Sequence, residues 1–466
     1  MHARVAAALL GVLLVGCGAQ TVGRSFSASA SDRAAATVEA PEGAGASASA
    51  ATIGLAADPA RIRETLETLQ QIADANGGVR AVGTPGFEAS VDAMATELEG
   101  LGFSVETPAV EFTGFAERPG ARLEVGARTF EAPDELHALI YSAGGHVDGP
   151  VAELDESGCE ADHFAGIPAG AIVLTTRGGC FRRDQAINAI EAGAVALVVG
   201  YPGRGPGEIY RPTLIDPSQI TIPVVSVTDD AVRALGEFQG ERAKLVVDTE
   251  REPATLRNVI GQLGEGSRVV MLGAHLDSVL EGPGINDNGS GVAALLEVAR
   301  GAAEVGVPDG WALRIGLWGG EEFGTVGSRA YAEEIDDEVV AYLNIDMAGS
   351  INGATLVYDE DGAAPGSQRI TRAYEAWLDA RGEPAERVDI GGSSDHFGFI
   401  RAGIPTGGLF AGAGPTGSAA APSAPGAGEA PDPCYHLACD DIGNVDIERV
   451  SLFAEATFHV AYELME

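Results

Sequence analysis

Arg268-Val269-Val270-Met271-Leu272-Gly273-Ala274-His275-Leu276-Asp277, followed after a short turn by Gly284-Ile285-Asn286-Asp287-Asn288-Gly289-Ser290-Gly291, decides how this chain is read. The first run is apolar, contains a β-branched pair and ends on a histidine. From Ser290 to Arg300 apolar residues recur at spacings of three and four, the pattern of a helix. A buried parallel strand that feeds a helix places His275 at a carboxyl strand end, the edge where open α/β sheets collect ligands and catalytic groups. Liganding residue types at that edge make a metal-dependent hydrolase the leading reading.

Two further apolar runs repeat the pattern. Leu313 to Trp318 leads into Gly319-Gly320-Glu321-Glu322, and Ala341 to Ile345 leads into Asp346. Three strand ends thus deliver a histidine and acids to one edge, the residue types that bind zinc with open coordination positions. The fold class expected is α/β, with a mainly parallel, mixed central sheet and helices on both faces.

Two metals held about 3.5–4 Å apart need a bridging carboxylate and separate ligands on each side. Asp287, just before a Gly-Ser-Gly helix start, suits the bridge, although the position alone also suits a helix cap. His275 and Asp346 complete one metal. Glu322 and a second histidine complete the other, leaving the adjacent Glu321 as general base. Asp277, two residues past His275, is placed to accept from its imidazole. The second histidine is His436, in Cys434-Tyr435-His436-Leu437-Ala438-Cys439, or His396, in Ser393-Ser394-Asp395-His396-Phe397. His436 is preferred, because a disulfide closing that short loop would hold the imidazole and set the Tyr435 phenol beside it as a donor to an oxyanion.

The rest of the chain frames this site. Residues 1–17 have the basic, apolar and small-residue parts of a secretory signal. Cys17, directly after small residues, resembles a bacterial lipoprotein processing site at which it would be lipidated. Residues 18–52, mostly Ala, Ser, Gly and Thr, read as a flexible tether. Residues 53–128 read as the N-terminal part of the catalytic domain, with helices from Pro59 to Asn76 and from about Gly86 to Leu101. Short β-like runs dominate residues 129–249, among them Leu139-Ile140-Tyr141, Ala171 to Leu174, Ala196 to Val199 and Val224 to Val227, with one helix from Arg183 to Ala192. Strand and helix patterns then alternate through residues 250–466.

Formal net charge is −39, and Lys244 is the only lysine. A field of that sign repels nucleic acid and anionic lipid surfaces. The body reads as exported to the cell envelope, periplasmic or extracellular, meeting the membrane only through the lipid on Cys17, and monomeric. With Cys17 lipidated, four cysteines remain in an oxidising compartment, and their spacing favours Cys159 with Cys180 and Cys434 with Cys439.

Gly273 to Asp277, Gly284 to Gly291, Gly319 to Gly324, Asn344 to Met347 and Cys434 to Asp440 together resemble the secreted bacterial di-zinc aminopeptidases of the leucyl-aminopeptidase type. The likeness is ordered and runs from Leu256 to the C-terminus, with a weaker echo in Asn76 to Val91. It implies two zinc ions on His275, Asp287, Glu322, Asp346 and His436, Glu321 as base and Tyr435 as oxyanion donor. The substrates implied are peptides losing N-terminal residues; beside that implication, apolar first residues are the expected preference. Residues 129–249 resemble the protease-associated domain, through Ala171 to Phe181 and Ala189 to Ala194, with a gating or a passive role. From Gly412 to Pro433 the chain is mostly Ala, Gly, Pro and Ser, where a more specific substrate-side loop is expected. Rival readings are a carboxypeptidase or dipeptidase, which would want clustered cations near the motifs, a glutaminyl cyclase, and a catalytically silent zinc-containing surface binding protein.

Overall fold

The computed structural model describes residues 54–201, 209–359, 363–414 and 430–466. The signal segment 1–17 with Cys17, the tether 18–52 and most of the Gly412–Pro433 stretch lie outside the described residues. No helix among the described residues is long and apolar enough to cross a membrane.

The central sheet has eight strands in the order Ser104–Glu106, Val259–Leu263, Trp311–Trp318, Arg268–His275, Glu338–Asp346, Thr406–Phe410, Leu356–Tyr358, Glu386–Val388. Its middle four run parallel, while Val259–Leu263 and Leu356–Tyr358 join them antiparallel. The sheet is therefore mixed, with its parallel part at the centre. Alternation along Arg268–His275 explains the burial of both faces: Val270, Leu272 and Ala274 enter one core with helices Pro59–Ala75, Gly291–Val305 and Ile447–Glu463. Val269 and Met271 enter the other with Trp318, Tyr342 and Phe399. Gly273 belongs there because Trp318 Nε1 and Tyr342 Oη leave no room for a side chain.

The N-terminal helices follow local chemistry. Asp58 caps Pro59–Ala75, accepting from the Ala60 N–H, and Thr84 caps Pro85–Gly100, accepting from Phe87. In each, proline fills the first turn, where its missing N–H is no loss.

The second sheet, also of eight strands, runs Arg128–Glu131, Arg122–Val125, Arg242–Val247, Gly145–Glu153, Ile172–Thr176, Ala196–Tyr201, Val224–Thr228, Leu136–Ala138. Its strands begin at Arg122, ahead of the start of the β-like pattern at 129, because Leu123 and Val125 alternate into the insert's own core. Four of its strands, from Gly145–Glu153 to Val224–Thr228, are parallel. They are accompanied by helix Arg182–Glu191 and by a second, short helix, Asp229–Gly236, that the strand reading passed over. Leu139 to Tyr141 is no strand either. Ile140 makes only an isolated bridge to Thr213, and Tyr141 turns away with φ 71°.

The insert enters and leaves along a paired ribbon. Ala109–Thr113 pairs antiparallel with Pro253–Arg257, and Ala116–Glu117 with Thr249–Glu250. Phe112 of the ribbon meets Phe323 edge to face, with ring centroids 5.6 Å apart. The disulfides are Cys159–Cys180 and Cys434–Cys439.

Candidate metal centre

His275 ends its strand in register with Trp318, so the Glu321–Glu322 pair follows directly after the Gly319-Gly320 turn that leaves the neighbouring strand. Asp346 ends the strand on the other side. Asp287 arrives from the turn before helix Gly291–Val305, and His436 from the disulfide-closed loop. The structure brings His275, Asp287, Glu322, Asp346 and His436 together. His275 Nε2 lies 3.1 Å from Asp287 Oδ1 and 3.5 Å from Asp346 Oδ1. His436 Nε2 lies 3.1 Å from Asp287 Oδ2 and 3.3 Å from Glu322 Oε2. Donor atoms of His275, Asp287 and Asp346 fall within 4.8 Å of one another, as do those of Asp287, Glu322 and His436. Asp287 is common to both groups. A third grouping joins His275 to Glu321 and Glu322.

The donors fit zinc on their chemistry, being imidazoles and carboxylates only. They also need a cation. Glu322 Oε1 and Asp346 Oδ1 are buried without a hydrogen-bond partner, and buried carboxylates persist only when paired or bound to metal. The electrostatics of these side chains carry the same message. Burial, reinforced by Asp287 and Glu321, pushes Glu322 well above the usual carboxylate range. Burial and the charges of Asp395, Asp346 and Asp287 do the same to Glu321, against His275. Burial disfavours charge on His275, yet Asp346, Asp287 and Glu321 outweigh it and raise its pKa well above normal. Asp287 is held below its ordinary range, because His275 and His436 outweigh the effect of burial.

Asp277 serves differently from the role expected of its carboxylate. His275 Nδ1 meets the Asp277 main-chain carbonyl at 3.0 Å, while the Asp277 carboxylate is 3.8 Å away. That carboxylate instead accepts from the backbone N–H groups of Glu321 (3.2 Å) and Glu322 (3.4 Å), fixing the turn that presents both acids. His396 stands apart from the cluster. It is buried with its ring 5.0 Å from that of Tyr358, and burial pushes its pKa down to about 3. Its neighbour Asp395 is the more telling residue of that motif. It is wholly buried, and burial with the charges of Asp346 and Asp277 pushes it up to about 7.

The turn carrying Asp287 is tied from several sides. Asp440 accepts from the N–H groups of Asn286 and Asp287, at 2.8 and 3.0 Å. Asn288 donates to the Ile345 carbonyl at 2.9 Å and accepts from Gly291 and Met347. A Cβ on Gly291 would come 2.6 Å from that same carbonyl, so only glycine fits. Arg80, fully buried, donates to the carbonyls of Leu276, Pro283 (2.9 Å) and Gly284 (2.6 Å), spanning the loop between His275 and Asp287. Burial lowers its pKa to about 10, against the charges of Asp277, Asp440 and Asp287. Behind Asp346, Ser394 donates to Oδ2 at 2.8 Å and accepts from Asn344 at 2.9 Å. His436 adopts φ 59°, a left-handed conformation rare for a non-glycine residue, within the bridged loop. Tyr435 stacks beside it, ring centroids 4.0 Å apart. Burial, Tyr210 and Asp287 raise the Tyr435 phenol well above its usual pKa, which keeps its proton available for donation.

Sequence reading passed over Arg80, Asp395 and Asp440. Arg80 sits in a turn-rich stretch, Val79 to Pro85, where a buried cation leaves no pattern. Asp395 and Asp440 lie inside stretches already singled out for their histidines, and that membership is their only signal.

Residues 258–461 match the model of peptidase family M28, and residues 147–235 that of the PA domain. An aminopeptidase of Pseudomonas aeruginosa is 37% identical over 419 residues, covering 84% of this chain and 78% of that protein. A probable lipoprotein aminopeptidase of Mycobacterium tuberculosis is 40% identical over 408 residues, covering 82% of this chain and 80% of the other. The structure of a zinc aminopeptidase from Bacillus subtilis superposes with a TM-score of 0.65 at 25% identity, covering 86% of this chain and 94% of that one. With its catalytic edge, its ribbon-borne insert and relatives of this closeness, the chain belongs to peptidase family M28 and carries a PA domain within it.

Proposed function

We infer that this chain is a metal-dependent aminopeptidase that removes residues from the N-termini of peptides. The observation that carries this reading is the buried set of three carboxylates and two imidazoles, with unpaired oxygens on Glu322 and Asp346, beside Glu321. His275 and Asp346 would hold one zinc and Glu322 and His436 a second, with Asp287 common to the two groups of donors. Bound there, zinc supplies Lewis acidity to the scissile carbonyl and lowers the pKa of water.

The remaining steps belong to side chains. Glu321 takes a proton from the attacking water and returns it to the leaving amine. Its backbone is held by Asp277, so its carboxylate is presented from a fixed turn. Tyr435 donates to the oxyanion that develops on the carbonyl. The free substrate amine rests among the acids, which restricts cleavage to the first residue. An apolar first residue is the preferred substrate. Cys17 carries a lipid that tethers the exported chain, a monomer, to the membrane; the probable lipoprotein aminopeptidase of Mycobacterium tuberculosis supports the lipid.

The test is hydrolysis of a panel of aminoacyl anilides and their N-acetylated forms by zinc-loaded protein, beside the Glu321→Gln variant, with bound zinc counted in both. Turnover of free-amine substrates alone, lost in a variant that keeps two zincs, is the expected result. Equal cleavage of the acetylated forms, or none by folded two-zinc protein, overturns the reading.

A further inference from the structure

The insert does not end at its own sheet. Past strand Ala196–Tyr201, residues Tyr210 to Thr213 make contacts at the catalytic edge. Tyr210 from this segment lies with its ring 5.0 Å from the His436 ring and 5.7 Å from the Tyr435 ring. Its hydroxyl is 3.4 Å from the Tyr435 hydroxyl. Behind it, Tyr201 packs edge to face at 5.0 Å, so a line of rings runs from the insert's sheet to the site.

The segment is fastened on both sides. Arg211, buried, pairs with Glu117 of the ribbon at 3.3 Å and with Glu281, in the loop between His275 and Asp287. Thr213 Oγ1 donates to the carbonyl of Phe323, the residue after Glu322, at 3.2 Å. Leu214 N–H donates to the Ile140 carbonyl at 3.0 Å. A tyrosine held this firmly is not a passing contact.

A phenol has one proton. While Tyr435 gives its proton to the developing oxyanion, it can only accept from Tyr210, so in that state Tyr210 is the donor of the pair. Donation into Tyr435 fixes the direction of its O–H and strengthens it, as linked hydrogen bonds polarise one another. We propose that Tyr210, supplied by the inserted domain, is a positioning residue for Tyr435, so that the insert completes the oxyanion side of the peptidase site. This rests on the role given to Tyr435 above.

Tyr210→Phe keeps the ring and its packing and removes only the hydroxyl. With the zinc-loaded full chain, kcat on a leucine anilide falls about 3- to 10-fold, the range of one neutral hydrogen bond. KM stays within about twofold, since the contact acts in the transition state. In calorimetry, a phosphonate analogue with a tetrahedral oxyanion loses affinity by a similar factor, while the product amino acid binds unchanged. In the Tyr435→Phe background the added Tyr210→Phe change costs nothing further. Wild-type kcat in Tyr210→Phe, or a loss that persists undiminished without the Tyr435 hydroxyl, overturns the proposal and leaves the aminopeptidase reading standing. A wild-type protein that cleaves no free-amine substrate removes both, and a fully active Tyr435→Phe removes Tyr210's role together with that of Tyr435.

Discussion

The peptidase sheet and the inserted sheet share an architecture and differ in what their strand ends carry. Each has four adjacent parallel strands with antiparallel strands at the borders. In the first, adjacent strands run out into His275, the Glu321–Glu322 turn and Asp346. In the second they run out into Arg177-Gly178-Gly179-Cys180, Tyr201 and Thr228. Among the described residues, every grouping of potential metal ligands falls at the peptidase edge and none in the insert. Topology offers the position and side chains decide whether it is used, which is why fold likeness alone does not carry function.

The sharpest way to break that contrast is to change one strand end in each sheet. Glu321→Gln is expected to lower kcat about 10³-fold, as loss of a general base does, whereas Thr176→Ala at the insert's edge leaves kcat unchanged in the same anilide assay. Next is Arg80→Met, which strands three buried carbonyls beside the catalytic loop. It should cost about 3 kcal/mol of stability, read as a lower urea midpoint. The two disulfides refine the comparison. Removing Cys159–Cys180, with a sequence separation of 21, should cost about 3 kcal/mol without altering kcat. Removing Cys434–Cys439, with a separation of 5, should cost about 2 kcal/mol and also lower kcat, because His436 and Tyr435 lie inside that loop.

The last contrast is a pH slope in the metal-free protein. Glu321, Glu322 and His275 all have folded pKa values above their ordinary ones, so at these three sites the folded chain binds more protons than the unfolded chain, while His396 and Asp287, shifted down, act the other way. That stability is complete below the ordinary carboxylate pKa and is lost as pH rises through the folded values. Each excess proton contributes about 1.4 kcal/mol per pH unit. Chelated protein should melt lower at pH 8 than at pH 6, and zinc should flatten the slope. Chelated protein that is more stable at pH 8 would show that these groups ionise freely without metal.

Much of the architecture was legible because strand ends and helix starts leave local marks. The apolar run to His275, the Gly-Gly before Glu321 and the Gly-Ser-Gly after Asp287 each report a backbone constraint within a few residues. What escaped was set by distance. Arg80 meets carbonyls some two hundred positions away in sequence, and Tyr210 reaches Tyr435 across 225. The division of labour in Asp277, carbonyl to the imidazole and carboxylate to the Glu321 turn, depends on the direction of the main chain, which residue identity does not encode. The short helix Asp229–Gly236 and the insert's first strands at Arg122 were too brief for their periodicity to stand out.

The paired ribbon at Ala109–Thr113 and Pro253–Arg257 has an evolutionary consequence. Because the two ends of the insert meet as neighbouring strands, the peptidase fold sees them as it would the two arms of a hairpin, whatever the length of chain beyond. Loop-closure entropy grows only slowly with length, and domains with adjacent termini are the ones most readily spliced into a host. An ancestor could thus acquire or shed this module at the ribbon without disturbing a strand of the catalytic sheet, and a contact such as Tyr210 is how a module acquired at little cost becomes one the host cannot easily lose.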